Sequence, residues 1–145
     1  MTARPYDAEP YRHTGYLIRR AQQKHAAAWA RIVSRETSSV QYSILVTLER
    51  LGEASQRELC DEADLDRSTI ADLVRRMERR GLLTRQRAED DARRNNVVLT
   101  ELGRAEHRRL LPLVEQVEQV LTGELTDADR ERLRGLLREL LGDAL

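Results

Sequence analysis

The sequence predicts a mainly α-helical fold that carries one small β-hairpin. Three observations point there. Apolar residues recur at three- and four-residue steps over most of the chain. Polar residues suited to helix starts stand just ahead of these stripes, at Ser38, Ser55, Asp66 and Thr126. One stretch near residues 82–100 breaks the helical period and turns β-branched around a charged tip.

Residues 1–10 hold Pro5 and Pro10 without periodicity and are expected to form a mobile arm. From residue 11, Leu17, Ile18, Ala21, His25, Ala28, Trp29, Ile32 and Val33 fall on one stripe, which predicts a first helix of about 24 residues. Ser38 with Gln41 three residues on is a capping box, opening a second helix through Ile44, Leu45, Leu48 and Leu51 that Gly52 stops. Ser55 with Glu58 repeats the signature for a short third helix, with Leu59, Cys60 and Ala63 on one side. Asp66 caps a fourth, whose stripe is Ile70, Leu73, Val74 and Met77 and whose close is Gly81.

Residues 82–87 and 96–100 read as two short strands around the polar tip 88–95. Thr100 caps a fifth helix through Leu110, Leu113, Val114, Val117, Val120 and Leu121. Pro112 lies inside it and is expected to bend it, since its ring removes a hydrogen bond and crowds the carbonyl of Arg108. Thr126, followed by Asp127 and Asp129, starts a sixth helix with the stripe Leu133, Leu136, Leu137, Leu140 and Leu141. This order predicts a single domain over 11–145, with a lobe at 38–102 and flanking helices at 11–34 and 103–145.

Composition bounds the function. A length of 145 residues suits one domain, and 40% apolar residues beside 34% charged ones are too many for a disordered chain. A net charge of zero excludes a uniformly basic coat, though not a local basic face. Lys24 is the only lysine among 25 cations. One cysteine excludes an intrachain disulfide and a cysteine metal cluster, and His13, His25 and His107 show no ligand spacing, so no metal is expected. No Ser/His/Asp set and no phosphate loop appear, which argues against an enzyme and against a cofactor. No run of 18 apolar residues exists to span a membrane, and residues 1–9 hold no apolar signal segment, so a cytoplasmic protein is expected.

Two helices joined by a tight polar turn and followed by a two-stranded hairpin make the winged helix-turn-helix order. The fourth helix is then the candidate reader of double-stranded DNA. With its stripe inward, Arg67, Ser68, Thr69, Asp72, Arg75, Arg76 and Arg79 lie outward or on the flanks. Small hydroxyl residues and open backbone N–H groups at a helix start suit base edges and phosphates alike. Residues 66–94 hold nine arginines and six acids, a surplus of three. Much of it sits at the end of the fourth helix and at Arg93 and Arg94 on the hairpin, the right chemistry for a narrow minor groove. A solvated charged face is the competing reading of the same residues.

The chain resembles the MarR family, the multiple antibiotic resistance regulators, over nearly its whole length. The resemblance rests on Ser39-Val40-Gln41-Tyr42-Ser43-Ile44-Leu45, on the run from Asp66-Arg67-Ser68-Thr69-Ile70 to Arg79-Arg80-Gly81-Leu82-Leu83, and on Asp91-Ala92-Arg93 with Leu99-Thr100-Glu101-Leu102-Gly103. It implies a dimeric transcription factor, usually a repressor relieved by a small ligand. It implies that Arg93 is the wing arginine, oriented by Asp91, that Arg94 and Asn95 flank it, and that Ser68 and Thr69 stand at the groove. Asp72 departs from the family pattern, where a basic or larger polar residue is common. It is left as an acceptor from cytosine or a helix-surface acid.

The resemblance also implies a ligand pocket between the lobe and the dimer helices, where Arg20, Lys24, His25, Trp29 and Tyr42 would lie. Trp29 and Tyr42 offer apolar walls, and Arg20 and Lys24 offer cations, a set suited to an aromatic acid or its CoA thioester. A packing role for His25 and Trp29 is the alternative. The run Gly15-Tyr16-Leu17-Ile18-Arg19-Arg20-Ala21-Gln22-Gln23 is similar to family members that regulate aromatic-acid catabolism. Two other functions stay open at this point, a winged-helix protein-interaction module without a DNA role and a redox regulator acting through Cys60. Cys60 on an apolar side reads first as a small buried hydrophobe.

Overall fold

The computed structural model describes residues 5–91 and 93–143. Its elements run α1 (Thr14–Ile32), α2 (Ser39–Leu51), β1 (Glu53–Ala54), α3 (Gln56–Ala63), α4 (Arg67–Arg79), β2 (Leu83–Arg87), β3 (Asn95–Leu99), α5 (Glu101–Thr122) and α6 (Asp127–Leu141). The mainly helical class with one small hairpin is as expected. Two compact units divide the chain, residues 29–114 and the two ends, 1–28 with 115–145.

Within 29–114, side-chain chemistry sets each helix start. Ser38 and Ser55 close reciprocal capping boxes with Gln41 and Glu58, and Asp66 accepts the Thr69 amide. Between α3 and α4 the chain turns in three residues. Asp64 takes the left-handed conformation there at φ 52°, which a short polar side chain tolerates. α4 ends in a Schellman turn, in which Gly81 at φ 77° lets its own N–H reach the Glu78 carbonyl and that of Leu82 reach Met77.

The sheet has three strands in the order β1-β3-β2, all antiparallel, with Leu83 opposite Leu99 and Arg87 opposite Asn95. The sequence reading has only the hairpin. β1 is two residues long, too short to show a period, yet it covers the other edge of β3 by pairing Glu53 with Val98 and Ala54 with Val97. The stripes of α2 and α4 meet this sheet in one core, where Leu45, Ile70, Val74 and Met77 are fully buried. Each large aliphatic side chain so buried stabilises the lobe by about 1.5–3 kcal/mol.

α1 is shorter than the expected 24 residues, at 19. The Ser34 hydroxyl accepts the backbone N–H groups of Glu36 and Thr37, at 3.0 and 2.9 Å, and diverts the chain from the helix. In the other unit, the described part of the expected arm forms turns, with the Ala8 N–H on the Pro5 carbonyl and that of Arg12 on Ala8. Thr126 caps α6 through the Asp129 amide. A groove of about 660 Å³ in this unit is walled by α1, the end of α5 and α6, including Leu17, Ile18, Leu133, Leu137 and Leu140. Those leucines and isoleucines are all exposed. Among the described residues no helix is long and apolar enough to cross a membrane.

Candidate nucleic-acid interface

The ten residues expected to meet DNA all fall within 29–114. Arg67, Ser68 and Thr69 fill the first turn of α4 and are exposed, while Ile70 beside them is fully buried. Asp66 Oδ1 takes the Thr69 N–H at 2.7 Å and the Ser68 hydroxyl at 2.8 Å. The Thr69 backbone bond, then the Ser68 hydroxyl, hold the Asp66 carboxyl below the usual carboxylate range. The Thr69 side chain also hydrogen-bonds to the Asp66 carboxylate, and both Ser68 and Thr69 remain exposed.

Farther along, Asp72 is half-buried and Arg75 and Arg76 are exposed. Asp72 Oδ2 lies 3.0 Å from Arg76 Nε, and its Oδ1 3.8 Å from Arg75. Asp72 thus pairs with two arginines along the helix. Glu78 accepts from Arg85 Nε at 2.8 Å, which pins β2 to α4.

The hairpin tip is built by main-chain bonds. Ala88 N–H reaches the Arg94 carbonyl, and Arg94 N–H reaches that of Asp91. Asp91 Oδ1 accepts the Arg93 N–H at 2.9 Å, so this acid acts on Arg93 through its backbone amide. Arg93 is exposed at the turn. Arg94 is drawn back onto both oxygens of Asp90, at 2.9 and 3.1 Å. Asn95 is exposed where β3 begins.

The five residues expected in a ligand pocket divide between the units. In the unit of chain ends, the Arg20 guanidinium lies 5.8 Å from the Tyr16 ring, which also carries Arg19 at 5.4 Å and meets Tyr11 edge-on. Lys24 is exposed and His25 half-buried along the apolar groove. In the other unit Trp29 is buried, its indole N–H on the Thr37 carbonyl at 2.8 Å. Its ring stands 5.7 Å from Tyr42, which stands 5.8 Å from His107. His107 enters this aromatic cluster unannounced by the sequence, because it lies 65 residues from Tyr42 in another helix. Cys60 is half-buried and packed against the lobe's core. Among the described residues no group of His, Cys, Asp and Glu is placed to hold a metal.

A model of the MarR family matches residues 37–94. The chain is similar over 98% of its length to 98% of the PcaV transcriptional regulator of Streptomyces coelicolor, solved with its natural ligand, at 37% identity and a TM-score of 0.86. It is 30% identical to BpsR of Bordetella bronchiseptica, whose DNA binding is regulated by 6-hydroxynicotinic acid, over 87% of this chain and 96% of that one, with a TM-score of 0.79. It is 27% identical over 126 residues to the transcriptional regulator HosA of Escherichia coli, covering 87% of this chain and 93% of that one. These relatives are regulators of transcription, not enzymes.

Proposed function

The chain belongs to the MarR family of transcriptional regulators, and on that premise we propose that it is a cytoplasmic homodimeric repressor, released from a pseudo-palindromic operator by an aromatic acid or its CoA thioester. The observation that carries the reading is the first turn of α4. It presents Arg67, Ser68 and Thr69 to solvent from a helix whose other face is fully buried. Seated in a major groove, that turn would offer hydroxyls to base edges, with Arg75 and Arg76 on phosphates. Arg93 would enter the neighbouring minor groove, flanked by Asn95.

The exposed stripe of α6 supports the dimer. Leu136, Leu140 and Leu141 are 55–68% exposed, an apolar face that a lone chain in water leaves uncovered. Two-fold symmetry would place two reading helices on one side of the duplex, about 10 base pairs apart. An anionic aromatic effector is proposed from the likeness to BpsR, whose DNA binding is regulated by 6-hydroxynicotinic acid. Such a ligand acts only through its affinity difference between two conformations. A coupling of about 1–3 kcal/mol gives roughly 5–150-fold release.

Selection of bound duplexes from random sequence tests the reading. A two-fold symmetric site with steeply salt-dependent affinity is expected. Release by 6-hydroxynicotinic acid, hydroxybenzoates or their CoA esters is then screened on that site. A site without dyad symmetry overturns the dimeric reader, and an operator that no aromatic compound releases overturns the effector.

A further inference from the structure

We propose that Arg80 is a positioning residue that couples the reading helix to Trp29 through the buried residue Thr37. The proposal rests on the reading of α4 as the DNA-binding helix. Arg80 directly follows that helix and precedes the Gly81 turn. Its side chain does not extend into solvent like those of Arg75 and Arg76, which are 64% and 60% exposed. It is 27% exposed and folds back on the loop between α1 and α2. There Nη1 donates to the Glu36 carbonyl at 3.2 Å and Nη2 to the Thr37 hydroxyl at 2.9 Å.

Thr37 is wholly buried, and its own carbonyl accepts the Trp29 indole N–H at 2.8 Å. Two hydrogen bonds therefore run in series through one residue that has no room to turn away. The Arg80 bond is charge-assisted and part-buried, and the Trp29 bond is buried, where such bonds hold geometry most firmly. At the far end the Trp29 ring continues into Tyr42 and His107. A shift of the indole moves the Thr37 peptide, and with it the oxygen that Arg80 grips. The backbone of Arg80 caps α4, its N–H on the Arg76 carbonyl. Coupling of this kind is reciprocal, so a duplex seated on α4 must also be felt at Trp29.

Trp29 is the only tryptophan, so its emission reads that effect without any effector. The full chain is titrated with a labelled duplex selected as above, following duplex anisotropy and Trp29 emission together. In the unaltered protein the emission is expected to change in step with binding. Arg80→Met and Thr37→Val should still bind the duplex, with the emission change reduced at least threefold. Thr37→Val keeps the side chain's shape, and being buried it cannot act by a lost phosphate contact. Arg80→Lys keeps the charge without the planar fork and should retain part of the response. Far-UV circular dichroism checks that each variant is folded. An undiminished emission change in Arg80→Met or Thr37→Val overturns the proposal, as does a silent Trp29 in the unaltered protein while anisotropy reports binding. Flat anisotropy in the unaltered protein instead overturns the DNA reading and this proposal with it.

Discussion

Asp72 and Arg76 stand one helical turn apart on α4, with the carboxylate 3.0 Å from the guanidinium Nε. On the proposed reading, the acid would both hold back an arginine from phosphate and set a negative charge where the duplex lies. Asp72→Asn is expected to raise affinity for non-operator DNA about three- to tenfold, because charge governs sequence-independent binding. Folding stability should change by less than about 0.5 kcal/mol, the worth of an exposed pair within one helix. Titration against random duplex checks this, and unchanged or weaker binding counts against it.

Arg93→Ala should weaken binding to all duplexes alike. The log–log salt dependence should become shallower by about 1, the loss of one phosphate-type contact. The melting temperature should hold, since Arg93 is exposed at the turn and the strands that carry it are untouched. Normal operator affinity in this variant would remove the hairpin from the interface.

Thr69→Ala should act differently. The Asp66 bond to the Thr69 backbone survives the change, and only the Thr69 side chain's own bond to Asp66 is lost. Preference should relax at one or two base pairs by about 1–3 kcal/mol each, with non-operator affinity nearly constant. Binding across a set of single-substitution operators measures this, and a uniform loss would place Thr69 on the backbone of the duplex.

Gly103→Ala should destabilise the lobe, although alanine is the better helix former by about 1 kcal/mol. A Cβ at 103 would lie 2.1 Å from the Leu82 carbonyl oxygen and 3.2 Å from the Leu99 side chain. Backbone cannot yield as a side-chain end does, so a loss of about 3 kcal/mol or more is expected, at the upper end for overpacking. Urea unfolding decides, and a neutral or stabilised variant shows that α5 has room to shift.

Glu118 gives the unit of chain ends an acid-sensitive tie. The hydrogen bond from Arg134, at 2.7 Å, holds its carboxyl below the usual range, against the opposing effect of burial. A folded-state value below the unfolded one stabilises at neutral pH, and that contribution is lost as pH falls from about 5 through the folded-state value. Glu118→Gln should therefore be less stable than the unaltered chain at pH 7, by under about 1 kcal/mol after solvent screening. The gap should close on acidification. An equal gap at pH 7 and at pH 3 would show that charge is not its cause.

Local chemistry made much of this fold legible. Ser38 with Gln41, Ser55 with Glu58, Asp66 and Thr126 mark helix starts because the bonds they make span only three residues. Gly81 marks the end of α4 for the same reason. What stayed hidden depends on the tertiary fold. β1 has two residues and no pattern of its own, and exists through its pairing with β3. Arg80 and Thr37 are 43 residues apart, and neither their types nor their spacing announces a bond. Arg80 looks like one more cation in a basic run. The roles of Arg94 and Asp91 at the hairpin tip were similarly blurred, since adjacent charges can pair in several ways and the turn's backbone selects one.

The Thr100 N–H reaches the Leu82 carbonyl and its hydroxyl reaches that of Gly81, the residues that close α4. Both strands of the hairpin are thus moored to the end of the helix beside them. On the proposed reading, the lobe is a two-point ligand with a stiff and very short linker. Once the helix has docked, the hairpin stands before its groove at high effective concentration, and its contacts form with little further loss of freedom. The same stiffness works in reverse, because a tilt that lifts one point from the duplex lifts the other with it.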